Sequence, residues 1–195
     1  HCDVVRQLVT AKADILARDR EGQTSFSLAV QGQHDAAAEL LLQLSITAGM
    51  DIDAQENMNN YGKYVTVLQG GTTMLMRASE KGMTSMVLKL VSLGANLTLT
   101  DKEGKTSLSL AMQERHDAAA ELLLQPSITA GMDIDAQDMW DMWDKPVTKL
   151  QGASERGLTS TVAKLVSLGA NLTLTNECGY TALDLASNEG CVKVF

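Results

Sequence analysis

Residues 104–115 read GKTSLSLAMQER, and residues 71–82 read GTTMLMRASEKG. The two leading glycines stand 33 positions apart, and both stretches follow G-x-T-x-L-x-x-A. The frame recurs as Gly22, Thr24, Phe26, Ala29 and as Gly179, Thr181, Leu183, Ala186. A single copy would carry little weight. Four in register decide the architecture, because a fixed period of about 20–50 residues marks an array in which each unit packs only on its neighbours.

Longer segments repeat outright. HDAAAELLLQ stands at 34–43 and again at 116–125, and SITAGMDIDAQ at 45–55 and 127–137, both 82 residues apart. KLVSLGANLTLT stands at 89–100 and 164–175, an offset of 75. The chain is thus a duplicated two-unit block whose second copy has lost seven residues (82 − 75). The loss falls where it rebuilds the frame: Thr148, Leu150 and Ala153 align with Thr73, Leu75 and Ala78, and Pro146 takes the leading glycine's place. Gly152 then falls inside the first helix, where glycine costs about 1 kcal/mol relative to alanine. This unit is expected to fold less securely than its neighbours.

Period and frame together resemble the ankyrin repeat, about 33 residues long with a T-P-L-H-x-A signature. The resemblance covers nearly the whole chain. It implies an all-α solenoid of stacked helix pairs with β-hairpin-like loops between repeats, cut inside a repeat at both ends. The expected units are a partial repeat at 1–19, repeats at about 20–55, 69–100, 101–137 and 145–175, and a partial repeat at 176–195. Insertion loops are expected at about 56–68 and 138–144. The signature proline is replaced by Ser25, Met74, Ser107, Lys149 or Ala182, and the signature histidine by Ser27, Met76, Ser109, Gln151 or Asp184. These departures predict loss of the Thr–His contact in every unit and modest stability per repeat.

Local signals agree with helix pairs. Thr24, Thr73, Thr106, Thr148 and Thr181 stand where a hydroxyl caps a helix start. Leu28 and Ala29, like Leu110 and Ala111, are expected to face neighbouring helices. Val87, Leu90 and Val91 form an apolar stripe with Lys89 turned outward. Gly94 and Gly169 follow the last turn, where a left-handed residue ends a helix. Four extra residues precede Gly49 and Gly131, and a further insertion lies around 57–68; lengthening a loop costs only about 0.6 kcal/mol per doubling. MDIDAQ and YVTVLQ alternate polar and apolar residues and could pair as a β-finger.

Composition narrows the function. Hydrophobic residues at 45% and charged residues at 21% fit a folded chain, and aromatics at 4% leave Leu, Ala, Met and Val to fill the core. A net charge of −8 without clustered Lys and Arg disfavours nucleic acid. Three scattered cysteines, Cys2, Cys178 and Cys191, form neither a disulfide framework nor a zinc set, and read as reduced thiols of a cytoplasmic protein. No apolar run approaches the roughly 20 residues of a membrane span. The chain begins at His1, so the expectation is a piece of a longer protein.

Chemistry-bearing motifs give way to simpler readings. DIDAQE and DIDAQDMWDMWD lack the glycine and glutamate that a calcium loop needs at its sixth and twelfth positions. His34 and His116 open second helices with no ligand partner at suitable spacing. NLT at Asn96 and Asn171 matches a glycosylation acceptor, but in repeat loops without a secretory context. QGGTT lacks the lysine of a phosphate loop. No catalytic residue, metal or cofactor is expected.

The resemblance implies a scaffold that binds another protein through loop tips and first helices, as a monomer, without touching nucleic acid or membrane. The matching positions are Arg20, Glu21, Gln23, Glu80, Lys81, Lys102, Glu103, Lys105, Gln113, Glu114 and Tyr180. Trp140 and Trp143, the chain's only tryptophans, lie among Asp138, Asp141 and Asp144 in an insertion; they read either as an anchor for a partner or as packing on the solenoid edge. Two alternatives stand beside the scaffold: a regulatory segment of a larger enzyme or channel, and a degenerate spacer.

Overall fold

The structure, a computed structural model, describes residues 2–20, 22–55, 72–137, 139–140 and 146–188. In chain order its elements are α1 (Cys2–Thr10), α2 (Ser25–Gln31), α3 (Asp35–Thr47), α4 (Met74–Glu80), α5 (Thr84–Ser92), α6 (Ser107–Gln113), α7 (Asp117–Thr129), β1 (Met139–Trp140), β2 (Pro146–Val147), α8 (Lys149–Arg156), α9 (Thr159–Ser167) and α10 (Ala182–Asn188). Helices α2, α4, α6, α8 and α10 pack in succession as one layer, and α1, α3, α5, α7 and α9 as the other. This is an all-α solenoid of helix pairs.

The first helices are short because each starts on a dedicated cap. Thr24, Thr73, Thr106 and Thr148 have extended backbones, and their hydroxyls accept the amide three residues on, at 3.2–3.3 Å. The expected loss of the return contact does not occur. Ser27 Oγ accepts from the Thr24 amide at 2.8 Å, Ser109 Oγ from Thr106 at 2.7 Å, Gln151 Oε1 from Thr148 at 2.9 Å and Asp184 Oδ2 from Thr181 at 2.8 Å. Even Met76 turns its sulfur to the Thr73 amide at 3.4 Å. Any acceptor of suitable reach closes the reciprocal capping box, so losing the signature histidine does not orphan the donor.

Second helices come in two lengths, nine residues in α5 and α9 and 13 in α3 and α7. The four extra residues before Gly49 and Gly131 therefore add a helical turn rather than a loop. Pro126 stands inside α7 where α3 has Leu44, and forgoes one helix hydrogen bond. Helix α5 ends on Gly94 at φ +85°, with the Ala95 amide reaching back to the Leu90 carbonyl at 3.1 Å. A Cβ on Gly94 would meet nothing within 4 Å, so glycine is needed there for its backbone angle alone.

The core is mostly aliphatic. Phe26, Leu42, Leu75, Leu90, Leu108, Leu123, Leu150 and Leu165 are fully buried, with Ala29, Ala78, Ala111, Ala153 and Ala186 letting helices approach closely. One expectation fails: Leu28 is 46% exposed, whereas Leu110 at the same place in α6 is buried. Helix α6 has first-helix neighbours on both sides, α4 and α8, while α2 contacts only α4 in its layer.

Strands β1 and β2 form an antiparallel ribbon, Met139 opposite Val147 and Trp140 opposite Pro146. Met139 is buried against Gly152: a Cβ built on that glycine would lie 3.6 Å from Met139 Cβ and Cε. The ribbon thus lies over Gly152 and still leaves room for a methyl there. The β-finger expected between MDIDAQ and YVTVLQ involves residues 64–69, which lie outside the described residues.

Candidate protein-interaction face

Three inter-repeat loops share one turn. Asp101 Oδ1 accepts the amides of Glu103 at 2.8 Å and Lys105 at 2.9 Å, and the Gly104 amide returns to the Asp101 carbonyl. Asn176 Oδ1 does the same for Cys178 and Tyr180, both at 3.0 Å. Asp19 Oδ1 accepts the Gln23 amide at 2.9 Å. An Asp or Asn side chain that mimics a backbone turn holds the tip rigid and leaves the next residues outside.

The tips carry charge. Arg20, Lys102, Glu103, Glu177 and Cys178 are exposed. Lys105 bonds Glu103 at 2.7 Å, and that hydrogen bond, with the ammonium's charge, holds the Glu103 carboxyl below its ordinary range. Glu177 escaped the sequence reading, although it aligns with Lys102 once Asn176 is matched to Asp101. Tyr180 is about half exposed. Gln23, its counterpart in the first of these loops, is buried and drops out of the surface set: its amide and carbonyl both bond Asp19, and the loop closes over it. Glu21 lies outside the described residues.

A second group gathers at the far ends of the first helices, about 10 Å away along seven-residue helices. Gln113 and Glu114 are exposed at the end of α6. Glu80 and Lys81 are half-buried and paired at 2.9 Å at the end of α4. Their carbonyls are gripped from both sides, Lys81 by Gln33 Nε2 at 2.8 Å and Glu80 by His116 Nε2 at 2.9 Å. That contact is the place of His116, which is structural, as expected from its position. The corresponding pair in α8, Glu155 and Arg156, is largely buried and bonded at 3.3 Å. Trp140 lies in β1, and Trp143 lies outside the described residues.

The duplicated loops tie neighbouring units. Asp53 Oδ1 accepts the Asn96 amide at 2.7 Å, and Asp135 Oδ1 the Asn171 amide at 2.9 Å. Asn96 and Asn171 in turn hold their own loops, accepting from Thr98 and Thr173. Among the described residues no three His, Cys, Asp or Glu side chains are grouped to hold a metal, and no helix is long and apolar enough to cross a membrane.

Comparison with known proteins accords with this geometry. A family profile described as ankyrin repeats, three copies, matches residues 1–101 and 55–138. The B-cell lymphoma 3 protein homolog of Mus musculus is 31% identical over 98% of this chain, and the chain spans 38% of that relative's length. A probable E3 ubiquitin-protein ligase of Oryza sativa subsp. japonica is 40% identical over 52% of the chain and 18% of its own length. The neurogenic locus notch homolog protein 2 of Homo sapiens is 28% identical over 63% of the chain and 4% of its own length. Frame, capping boxes, paired helix layers and a profile match across most of its residues establish that this chain belongs to the ankyrin-repeat family.

Proposed function

We propose that this array binds another protein through the rigid loop tips and the ends of the first helices, without catalysis of its own. The observation that carries the reading is the repetition of one Asp- or Asn-pinned turn. It presents different exposed side chains in alternate loops of the array: Arg20, then Lys102 and Glu103, then Glu177. The scaffold is constant and the displayed groups vary, which is what a surface tailored to one partner needs. Mixed charge at the tips favours electrostatic complementarity, hence selectivity and salt-sensitive association.

The test compares three forms of the array as bait in extract. One is unaltered, one carries Arg20→Ala, Lys102→Ala, Glu103→Ala and Glu114→Ala, and one carries Lys89→Ala and Lys164→Ala on the second helices. Proteins held by the first and third but lost by the second support the reading. Binding indifferent to the tip substitutions refutes it.

A second reading is favoured by the rice relative, whose name is that of a ligase and whose matched part is a small fraction of its length. On that reading the array is the recognition segment of a larger enzyme. The full reading frame separates the two, through the presence or absence of a catalytic domain beside the repeats.

A further inference from the structure

The joint between α2–α3 and α4–α5 and the joint between α6–α7 and α8–α9 are one joint built twice. Residues 24–55 and 106–137 are identical at 27 of 32 positions, and residues 72–100 and 147–175 at 21 of 29. The identical positions include those that make the contacts. Asp53 meets Asn96 as Asp135 meets Asn171. Gln55 Nε2 donates to the Thr100 carbonyl at 3.2 Å, and Gln137 Nε2 to the Thr175 carbonyl at 3.5 Å. The second unit therefore offers its neighbour the same surface on which the fifth unit docks.

Two further ties belong to the later joint. Asp117 accepts the Ser160 amide at 2.9 Å, the Thr161 amide at 2.8 Å and the Thr161 hydroxyl at 2.7 Å. Lys149 Nζ donates to the Asp133 carbonyl at 3.0 Å. On the fourth-unit side these use residues that the second unit repeats, Asp35 for Asp117 and Asp51 for Asp133. On the other side the third unit differs: Met86 stands in place of Thr161 and Met74 in place of Lys149. Asp35 is accordingly exposed, where Asp117 is partly buried. The fifth unit seated on the second would make both shared ties and add the Thr161 hydroxyl and Lys149 ammonium bonds, whose donors the third unit lacks.

We propose that two copies of this chain associate by crossed docking. The fifth unit of one copy seats on the second unit of the other, and the displaced third unit seats on the vacated fourth. One copy opens between its second and third units and the other between its fourth and fifth, where the β1–β2 ribbon must part. Both new joints keep the shared Asp–Asn and Gln–Thr ties, and the side-chain ties gained where the fifth unit meets the second are those lost where the third meets the fourth. In the copy that opens between its second and third units, sixteen residues separate Gln55 from Thr72, and in the other, ten separate Gln137 from Thr148; extended, these span roughly 50 Å and roughly 33 Å, against roughly 10 Å between neighbouring packed helices. The closed monomer is favoured at low concentration, because its joints form within one chain at high effective concentration. Exchange grows with chain concentration by mass action.

The experiment uses the full chain with Cys2, Cys178 and Cys191 changed to Ser. Two cysteine pairs are introduced separately, Asp53→Cys with Asn171→Cys, and Asp53→Cys with Asn96→Cys. Each protein is refolded from urea at rising concentration, oxidised and sized by light scattering. Crossed docking gives a dimer fraction that rises with concentration and a 53–171 disulfide between chains. A 53–96 bond between chains without the 53–171 bond would mean like-for-like exchange and overturn the proposal. So would a 53–171 bond within one chain, or no dimer at all. Because those cysteines remove the Asp53 tie, Asp35→Asn is tested in the otherwise unaltered chain. It should cut the dimer fraction roughly tenfold, the loss of one charge-assisted bond, and leave the monomer's Tm unchanged. An undiminished dimer fraction would overturn the proposal.

Discussion

Thr161 donates its hydroxyl and its amide to the carboxylate of Asp117, at 2.7 and 2.8 Å, across the boundary between two repeats. The residue at the N-cap of α9 is Leu158, which cannot cap. The previous unit supplies the missing acceptor at the positive end of the helix dipole, so a local requirement of one helix is met by its neighbour in the stack.

Burial alone would raise the Asp117 pKa, yet the hydrogen bonds from Thr161 and Ser160 outweigh it and leave it lowered. A carboxyl depressed in the folded state stabilises above its unfolded pKa, about 3.9, and loses that contribution as pH falls through the folded value. Asp117→Asn should cost about 1 kcal/mol at pH 7, the size of a cap and reduced by solvent screening. Urea titrations at pH 7 and pH 3 should show the difference between the two proteins shrinking in acid.

The ribbon and Gly152 offer a paired test. Met139→Ala should lower stability by about 2 kcal/mol or more, because a buried side chain leaves a cavity. Gly152→Ala should raise it by up to about 1 kcal/mol, since a helix interior prefers alanine. The added methyl would meet Met139 at ordinary contact distance and Arg156 Nη1, held on the Gly152 carbonyl at 3.1 Å, at a tighter 3.3 Å, so the guanidinium must give by a few tenths of an ångström. Thermal melts of both variants check the signs.

Gln151 closes the α8 capping box and also donates from Nε2 to the carbonyls of Leu174 at 3.0 Å and Tyr180 at 3.1 Å. It is fully buried. Gln151→Ala leaves those groups unpaired and should cost about 2–3 kcal/mol. Hydrogen exchange should locate the loss at α8 and in residues 176–186 together, not at α8 alone.

Gly82 and Gly94 both have left-handed backbones, but their surroundings differ. A Cβ on Gly82 would fall within the His116 ring's contact distance and push it off the Glu80 carbonyl, whereas one on Gly94 meets open space. Gly94→Ala should therefore cost about 1 kcal/mol, from the backbone angle alone. Gly82→Ala should cost at least about 1 kcal/mol more, for the lost hydrogen bond. Chemical denaturation of the two variants side by side would show whether the gap exists.

The repeat frame was readable because it rests on short-range rules. A threonine three residues ahead of an acceptor, a glycine after an apolar stripe and a fixed period each act within one unit. The loop tips at Lys102 and Glu103 followed from the same register. Less legible were residues whose environment depends on other units. Gln23 and Lys105 occupy one register position, yet the first is buried and the second half-buried. Glu177 was missed because its loop opens with Asn rather than Asp.

The sequence alone determined the helix pairs, their order and the duplicated block, because period, caps and apolar spacing are properties of neighbouring residues. Tertiary structure decided what the replacements amount to. Ser, Gln, Asp and even Met restore the capping box, because the geometry asks for an acceptor within reach and not for histidine. Gly152 is covered by Met139, which arrives from outside its helix, and Leu158 needs no capping side chain because Asp117 reaches over from the unit before. Contacts between units depend on how the units stack, and no local pattern encodes the distance between two side chains more than 40 residues apart.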